Sequence, residues 1–428
     1  MKRNLVLILN LVLGIFMACS QTGAWLGNLD VQGTRIPVVF HFDDEKPSMD
    51  SPAQGAKGIP IIFSKGATGI ISISIPGVGA SFRGKVEDNK IVGLFRQVGF
   101  SFPLTLTPGA EKPRRPQTPQ GPHKYSEENV SFSNGDAVLQ GTLTLPNGYN
   151  LDTPVLIMVT GSGLQNRDEE IFDHKPFAVI ADALAKNGIA TLRYDDRGYG
   201  ESTGDAVNCT TEDLMRDALA GIDLLRTRFG NVGVLGHSEG GTIALMLAAD
   251  HKADFIVSLA GMVVSGKETL LAQNRHILAG NGIDEKTVDV YCHLLSKIFD
   301  DTADVERQVQ SSDLPQAMKE NLQAVIGQMQ SPYMQYFVST DMRKRLAEIS
   351  CPVLALNGSK DTQVFCDDNL QALRTGLPAN CKNKIQAFEG LNHMFQHCTI
   401  GATIEYGTIE ETISPEVLDT IAWWIKGL

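Results

Sequence analysis

The segment Gly236-His237-Ser238-Glu239-Gly240 constrains this chain more than any other, because an apolar run, Val232 to Leu235, must become a helix starting near Glu239 within it. A turn that sharp brings backbone against backbone, so the positions two before and two after its central residue tolerate no side chain. Both are glycine, and Gly241 follows. Such a turn lifts the serine hydroxyl out of the sheet and presents it to solvent, the setting known as a nucleophile elbow.

The surrounding pattern agrees with that setting. From residue 125 onward, Val130 to Phe132 and Ala137 to Leu145 read as a β-hairpin around Asn134-Gly135, and apolar runs then alternate with amphipathic segments. The runs are Val155 to Val159, Ile189 to Tyr194, Val232 to Leu235, Phe255 to Leu259, Val353 to Leu356 and Ile385 to Phe388. Between them, Pro176 to Asn187 carries Phe177, Ile180, Ala181 and Leu184 on one face and stops at Gly188; a second helix opens at Thr210 or Thr211. A last helix has Ser414 as N-cap, Pro415 in its first turn and Leu418, Ile421, Ala422 and Ile425 as its buried stripe. Alternation of this kind predicts an α/β fold, with a mostly parallel sheet covered by helices on both faces. Residues 266–348 show no strand signal and read as a helical insertion, placed in the chain where a cap over the sheet would lie.

A chain of 428 residues exceeds one ordinary core, and the first hundred residues follow a different period. Residues 24–108 are strand-like throughout, with runs at 35–42, 59–63, 69–75, 80–86, 91–95 and 101–106, which predicts a small all-β barrel or sandwich. Residues 109–124 hold four prolines and almost no apolar side chain, a linker composition, so the second domain is expected to run from 125 to 428.

Lys2 and Arg3 precede the apolar run Leu5 to Met17, as in a secretory leader occupying residues 1–20, with Cys19 a candidate lipid-anchor site. The expectation is an exported protein, periplasmic or associated with the outer membrane. The net charge of −12 argues against nucleic acid or anionic membranes as partners. Beyond Cys19 there are six cysteines, at 209, 292, 351, 366, 381 and 398, none in a metal-ligand spacing. Their even number permits disulfides, with Cys366, Cys381 and Cys398 nearest in sequence, while free buried thiols are an equal alternative.

A serine hydroxyl is a weak nucleophile at neutral pH and needs a base, which needs an orienting acid. Asp361 follows one predicted strand in Asn357-Gly358-Ser359-Lys360-Asp361, and His393 follows the next in Glu389-Gly390-Leu391-Asn392-His393. Both fall just past the carboxyl ends of strands, where open α/β sheets gather functional groups, and the order Ser238, Asp361, His393 suits the elbow. Asp367 and Asp368 read instead as charges in a helix's first turn; His397 and His237 are the competing histidines, and those at 123, 174, 251, 276 and 293 read as surface or packing residues. An oxyanion needs two preorganised donors. One is expected from the backbone N–H of Glu239, the other from the turn Thr160-Gly161-Ser162-Gly163-Leu164, with Ser162 preferred over Gly163 or Leu164. The glycines of that turn lack the spacing of a phosphate loop.

Taken in order, Gly161-Ser162-Gly163 with Asn166-Arg167-Asp168, then Arg193 to Ser202, then Gly236 to Gly241, resemble the α/β-hydrolase superfamily over residues 125–428. Within it the likeness is to bacterial esterases and the serine aminopeptidase-like group, including a cinnamoyl esterase-like branch. Thr160 stands where that family often has histidine. The resemblance implies an α/β-hydrolase fold with a helical cap, a structural role for Arg193 to Ser202, and a serine hydrolase acting on a small acyl ester without metal or organic cofactor. A peptidase holding a substrate amine on Glu239, Glu268, Asp284 or Glu285 is the second expectation, and an inactive hydrolase-fold binding module the third.

Overall fold

The computed structural model describes residues 23–31, 34–42, 46–54, 56–66, 69–87, 89–97, 99–109, 114–301 and 304–428. The expected leader with Cys19, and residues 110–113 of the expected linker, lie outside them. Two compact units divide at about residue 112.

The first unit is all β. Its strands β1 (Ala24–Val31), β2 (Thr34–His41), β3 (Ser48–Ser51), β4 (Ala56–Pro60), β5 (Ile62–Lys65), β6 (Ile70–Ile75), β7 (Ala80–Glu87), β8 (Lys90–Gln97) and β9 (Phe100–Pro108) form one sheet in the order 4-3-2-1-9-8-7-6-5. The two edge strands are consecutive in the chain, so the sheet is a nearly closed barrel and not a sandwich. Alternate residues point inward, as the two-residue period of a strand requires: Phe40, Ile71, Ile73, Ile75, Phe82, Ile91, Phe95, Leu104 and Leu106 are buried. The single run expected at 59–63 is split at Ile61 between β4 and β5, and β1 and β3 add to the six strands expected.

The second unit opens with the hairpin β10 (Tyr125–Asn134) and β11 (Ala137–Pro146), turning at Gly135 with φ 59°. Strands β12 (Val155–Val159), β13 (Ala190–Tyr194), β14 (Val232–His237), β15 (Phe255–Leu259), β16 (Val353–Gly358) and β17 (Lys384–Phe388) complete a sheet ordered 10-11-13-12-14-15-16-17. From β13 to β17 every pairing is parallel, and the antiparallel pairings are those of β11 with β10 and with β13. The central strands are buried along their whole length, which is why their sequences are continuous apolar runs. Helices α1 (Pro176–Lys186) and α10 (Pro415–Lys426) cover one face and α2 (Thr211–Arg226), α3 (Glu239–Ala249) and α9 (Cys366–Gly376) the other, each face with its own core. On α10, Val417, Ile421, Trp424 and Ile425 are buried, each worth about 1.5–3 kcal/mol. Ser414 precedes α10 but makes no capping hydrogen bond; its hydroxyl is buried without a partner among the described residues.

The insertion is helical, as its sequence predicts: α4 (Gly266–Gly280), α5 (Glu285–Asp300), α6 (Val305–Ser311), α7 (Gln316–Gln328) and α8 (Pro332–Ser339). Val288, Leu294, Leu295, Ile298, Val309 and Leu322 pack as a core of their own, so most of the cap's apolar residues serve its folding. All six cysteines after Cys19 are free thiols.

Candidate active site

Strand β14 ends at His237, and α3 begins at Glu239; Ser238 between them takes φ 55°, ψ −119°, a costly backbone for a residue with a side chain. The glycines make this geometry feasible. A Cβ at Gly236 would lie 1.9 Å from the Gly240 carbonyl oxygen, and one at Gly240 would lie 2.0 Å from that of Val159. As the first residue of α3, Glu239 has a backbone N–H with no partner inside the helix.

Past β16, the Asp361 side chain is wholly buried. Its Oδ1 accepts the backbone N–H groups of Gln363 (2.8 Å) and Val364 (2.9 Å), and its Oδ2 faces His393 Nδ1 at 2.7 Å. His393, past β17, has its Nε2 edge free of that contact and lines the same cavity as Ser238. The competitors are elsewhere: Asp367 and Asp368 sit in the first turn of α9, and His397 pairs with Glu411 at the surface.

The turn after β12 also reaches this cavity. A Cβ at Gly161 would come within 3.2 Å of the Ser238 Cβ. Two carboxylates hold the turn. Asp196 accepts the Thr160 hydroxyl and the Gln165 N–H, both at 2.8 Å, and Glu169 accepts the Gly161 N–H at 2.9 Å. Burial pushes the Asp196 carboxyl up to about 8. The Gly161 N–H is already engaged by Glu169, so Ser162 is the next residue of the turn in line to offer its N–H to a ligand. The segment Arg193 to Ser202 supports this region by ion pairs: Arg193 with Asp168 and with Glu127 (2.8 Å), Asp195 with Arg167 (2.7 Å), and Arg197 with buried Asp217 (2.6 Å).

His237 is not idle beside the serine. It is buried, with Nδ1 2.9 Å from Glu169 Oε1 and Nε2 3.0 Å from the carbonyl oxygen of His393. The His393 carbonyl and an ionised Glu169 are both acceptors, and the ring meets both with a hydrogen only when doubly protonated. Burial opposes that charge, but the Glu169 carboxylate and the two hydrogen bonds outweigh it and hold the His237 pKa above its ordinary value. The His237 ring thus ties the Gly161 turn, through Glu169, to the His393 loop. A sequence signal for this existed only in part, since His237 is adjacent to Ser238 while Glu169 is sixty-eight residues away and reaches it through the φ 53° turn at its own position.

The cavity holds about 340 Å³. Ile171, Phe172, Met262, Leu270, Phe337 and Met394 give it an apolar wall, and cap helices α4 and α8 close one side. Tyr333 of α8 donates to Glu239 Oε2 at 2.5 Å, while Thr211 donates to Oε1 at 2.7 Å. Burial, then the charge of Glu239, raises the Tyr333 phenol far above its usual range. Of the acids proposed to hold an amine, Glu268 caps α4 and pairs with Arg343, and Asp284 caps α5; neither they nor Glu285 line the cavity.

The family model for serine aminopeptidases of the S33 group matches residues 174–397, just over half of the chain. The chain belongs to this family of α/β hydrolases. Among curated relatives of this S33-group protein, esterase EstD of Thermotoga maritima is 26% identical over 312 residues, spanning 71% of this chain and 68% of its own. An acyl transferase of Photobacterium leiognathi is 30% identical over 146 residues, 33% of this chain and 44% of its own. Among solved structures, Est1E of Butyrivibrio proteoclasticus in complex with ferulic acid aligns at 16% identity and a TM-score of 0.43, over 70% of this chain and 98% of its own. The proline iminopeptidase of Mycobacterium smegmatis aligns at 15% identity and 0.45, over the same shares. The family match makes this S33-group chain a hydrolase, with esterase-type relatives.

Proposed function

We propose that this hydrolase is a serine esterase cleaving small carboxylic esters. Ser238 attacks the carbonyl, His393 takes its proton and returns it to the leaving alcohol, and Asp361 fixes the imidazole tautomer and stabilises the imidazolium. The N–H groups of Glu239 and Ser162 receive the oxyanion, and water then releases the acyl group through the same base. The observation that carries this reading is the buried 2.7 Å contact of His393 Nδ1 with Asp361 at a cavity lined also by Ser238 on its strained elbow. Residues alone supply every step, so no cofactor enters it.

An aminopeptidase would need a carboxylate free to hold the substrate ammonium. Both cavity acids are engaged, Glu169 by Gly161 and His237, Glu239 by Thr211 and Tyr333. That favours esters over peptides. Export remains part of the proposal, on the strength of Lys2, Arg3 and the apolar run after them. The test is turnover of p-nitrophenyl esters from acetate to octanoate beside a panel of aminoacyl p-nitroanilides, with wild type and Ser238→Ala. Ester turnover that vanishes in the variant is expected. Anilide turnover exceeding ester turnover would overturn the assignment.

A further inference from the structure

The cavity wall is mostly apolar by area, but Thr269, Gln273 and Gln363 are polar residues of it outside the proposed triad. Thr269 lies one turn before Gln273 on α4, so the two side chains share a helix face. Thr269 is 3% exposed, and its hydroxyl has no hydrogen-bond partner among the described residues. The carbonyl of Ser265, one turn back, receives the backbone N–H of Thr269 instead. Gln273 donates its amide to the main-chain oxygen of Gln363 at 2.7 Å, and Gln363 donates its own to the Tyr406 hydroxyl at 3.1 Å. Neither amide oxygen has a donor among the described residues, and Thr269, Gln273, Gln363 and Tyr406 all line the cavity that holds Ser238.

A buried hydroxyl without a partner costs stability that replacement by valine would recover, so its presence at a cavity wall calls for a ligand atom. Thr269 also borders a recess on its other side, with Glu268, Arg343 and Asn369. There the demand is already met: Glu268 pairs with Arg343, and Asn369 bonds to the backbone of Val263 and Phe365. Thr269 lines the cavity as well as this recess.

We propose that Thr269, Gln273 and Gln363 form a recognition site for an uncharged hydrogen-bond donor carried by the substrate, so that the preferred ester bears a hydroxyl on the part of the molecule reaching under α4. Two amide oxygens and a hydroxyl offer acceptors to an O–H, and the hydroxyl of Thr269 can donate in return. An ammonium is disfavoured, because no carboxylate belongs to the cluster and a desolvated cation needs one. A plain alkyl chain would leave all three polar groups unpaired, which is the situation in which enzymes discriminate most strongly. The proposal rests on the esterase reading only for which bond is cleaved.

Binding and turnover are therefore measured separately. Calorimetry on Ser238→Ala compares N-propyl 6-hydroxyhexanamide with its isostere N-propyl heptanamide, and p-nitrophenyl 6-hydroxyhexanoate and heptanoate are compared for turnover by the wild type. The hydroxylated ligand is expected to bind roughly ten-fold more tightly, the scale of one well-made neutral hydrogen bond. Adding Thr269→Val should cut that preference to about two-fold, Thr269→Ser should restore it, and Gln273→Met provides a second, independent loss. Equal or tighter binding of the heptanamide, or a preference untouched by Thr269→Val, overturns the site. Preference in binding without ester turnover would refute the esterase and leave the site standing; turnover without preference does the reverse.

Discussion

Replacing Glu169 by glutamine tests whether the imidazolium of His237 holds the site together. The wild-type ring faces two acceptors, Glu169 Oε1 at 2.9 Å and the His393 carbonyl at 3.0 Å, and satisfies both only while doubly protonated. Without the carboxylate, burial drives the proton off, and a neutral ring has one N–H for two acceptors. The amide at position 169 then presents either its oxygen, which a bare Nδ1 opposes, or its NH2, which leaves the Gly161 N–H without its acceptor. Losing one charge-assisted hydrogen bond in this setting costs about 1.5–3 kcal/mol. If the whole of it appears as misplacement of His393 and the Gly161 turn, kcat/KM falls roughly 10- to 150-fold, carried by kcat. The pH dependence has a definite sign. A histidine whose folded pKa is raised contributes stability that is complete below its ordinary value near 6.5 and is lost as pH rises through the folded value. The melting-temperature gap between wild type and Glu169→Gln is therefore widest at pH 6 and narrows under alkaline conditions. Ester hydrolysis from pH 5 to 10, paired with calorimetric melting, measures both. A variant with unchanged kcat/KM, or a stability gap that widens with pH, would refute the reasoning.

Two further outcomes concern stability. His174 is fully buried, and burial, followed by the charge of Arg115, lowers its pKa to about 4, so the folded protein resists a proton that the unfolded chain accepts below 6.5. Stability present above pH 6.5 should fall by about 3 kcal/mol between there and pH 4, and His174→Gln should flatten that part of a melting-temperature profile. Asp217 pairs with Arg197 at 2.6 Å with both side chains buried, so Asp217→Ala leaves an uncompensated charge costing about 3–5 kcal/mol and should lower the calorimetric melting temperature by on the order of 10 °C.

Much of this architecture is written locally and could be read. Gly236 and Gly240 state the elbow by what they omit, the apolar runs of the parallel strands state their burial, and Asp361 and His393 stand at strand ends where the chain order places them. What escaped reading depends on distant partners. Glu169 and Asp196 look like ordinary acids of polar loops; their work on the Gly161 turn exists only once β12, β13 and β14 lie side by side. Strand β3 was hidden because Ser48–Ser51 has little β-branched or aromatic content and is held by pairing with its neighbours. Ser414 shows the opposite failure: its residue type and the proline after it fit an N-cap, yet its hydroxyl makes no capping bond and has no partner among the described residues. Of the cap's many apolar residues, only the packing separates those of its own core from Tyr333 and Phe337 at the cavity.

The central claim is that Ser238 is the nucleophile, and labelling by an alkyl fluorophosphonate followed by intact-mass and peptide mapping tests it most directly. One adduct per chain, located on Ser238, formed in step with loss of ester turnover and absent from Ser238→Ala, is the predicted result. No adduct, an adduct on another residue, or ester turnover that survives full labelling would contradict it.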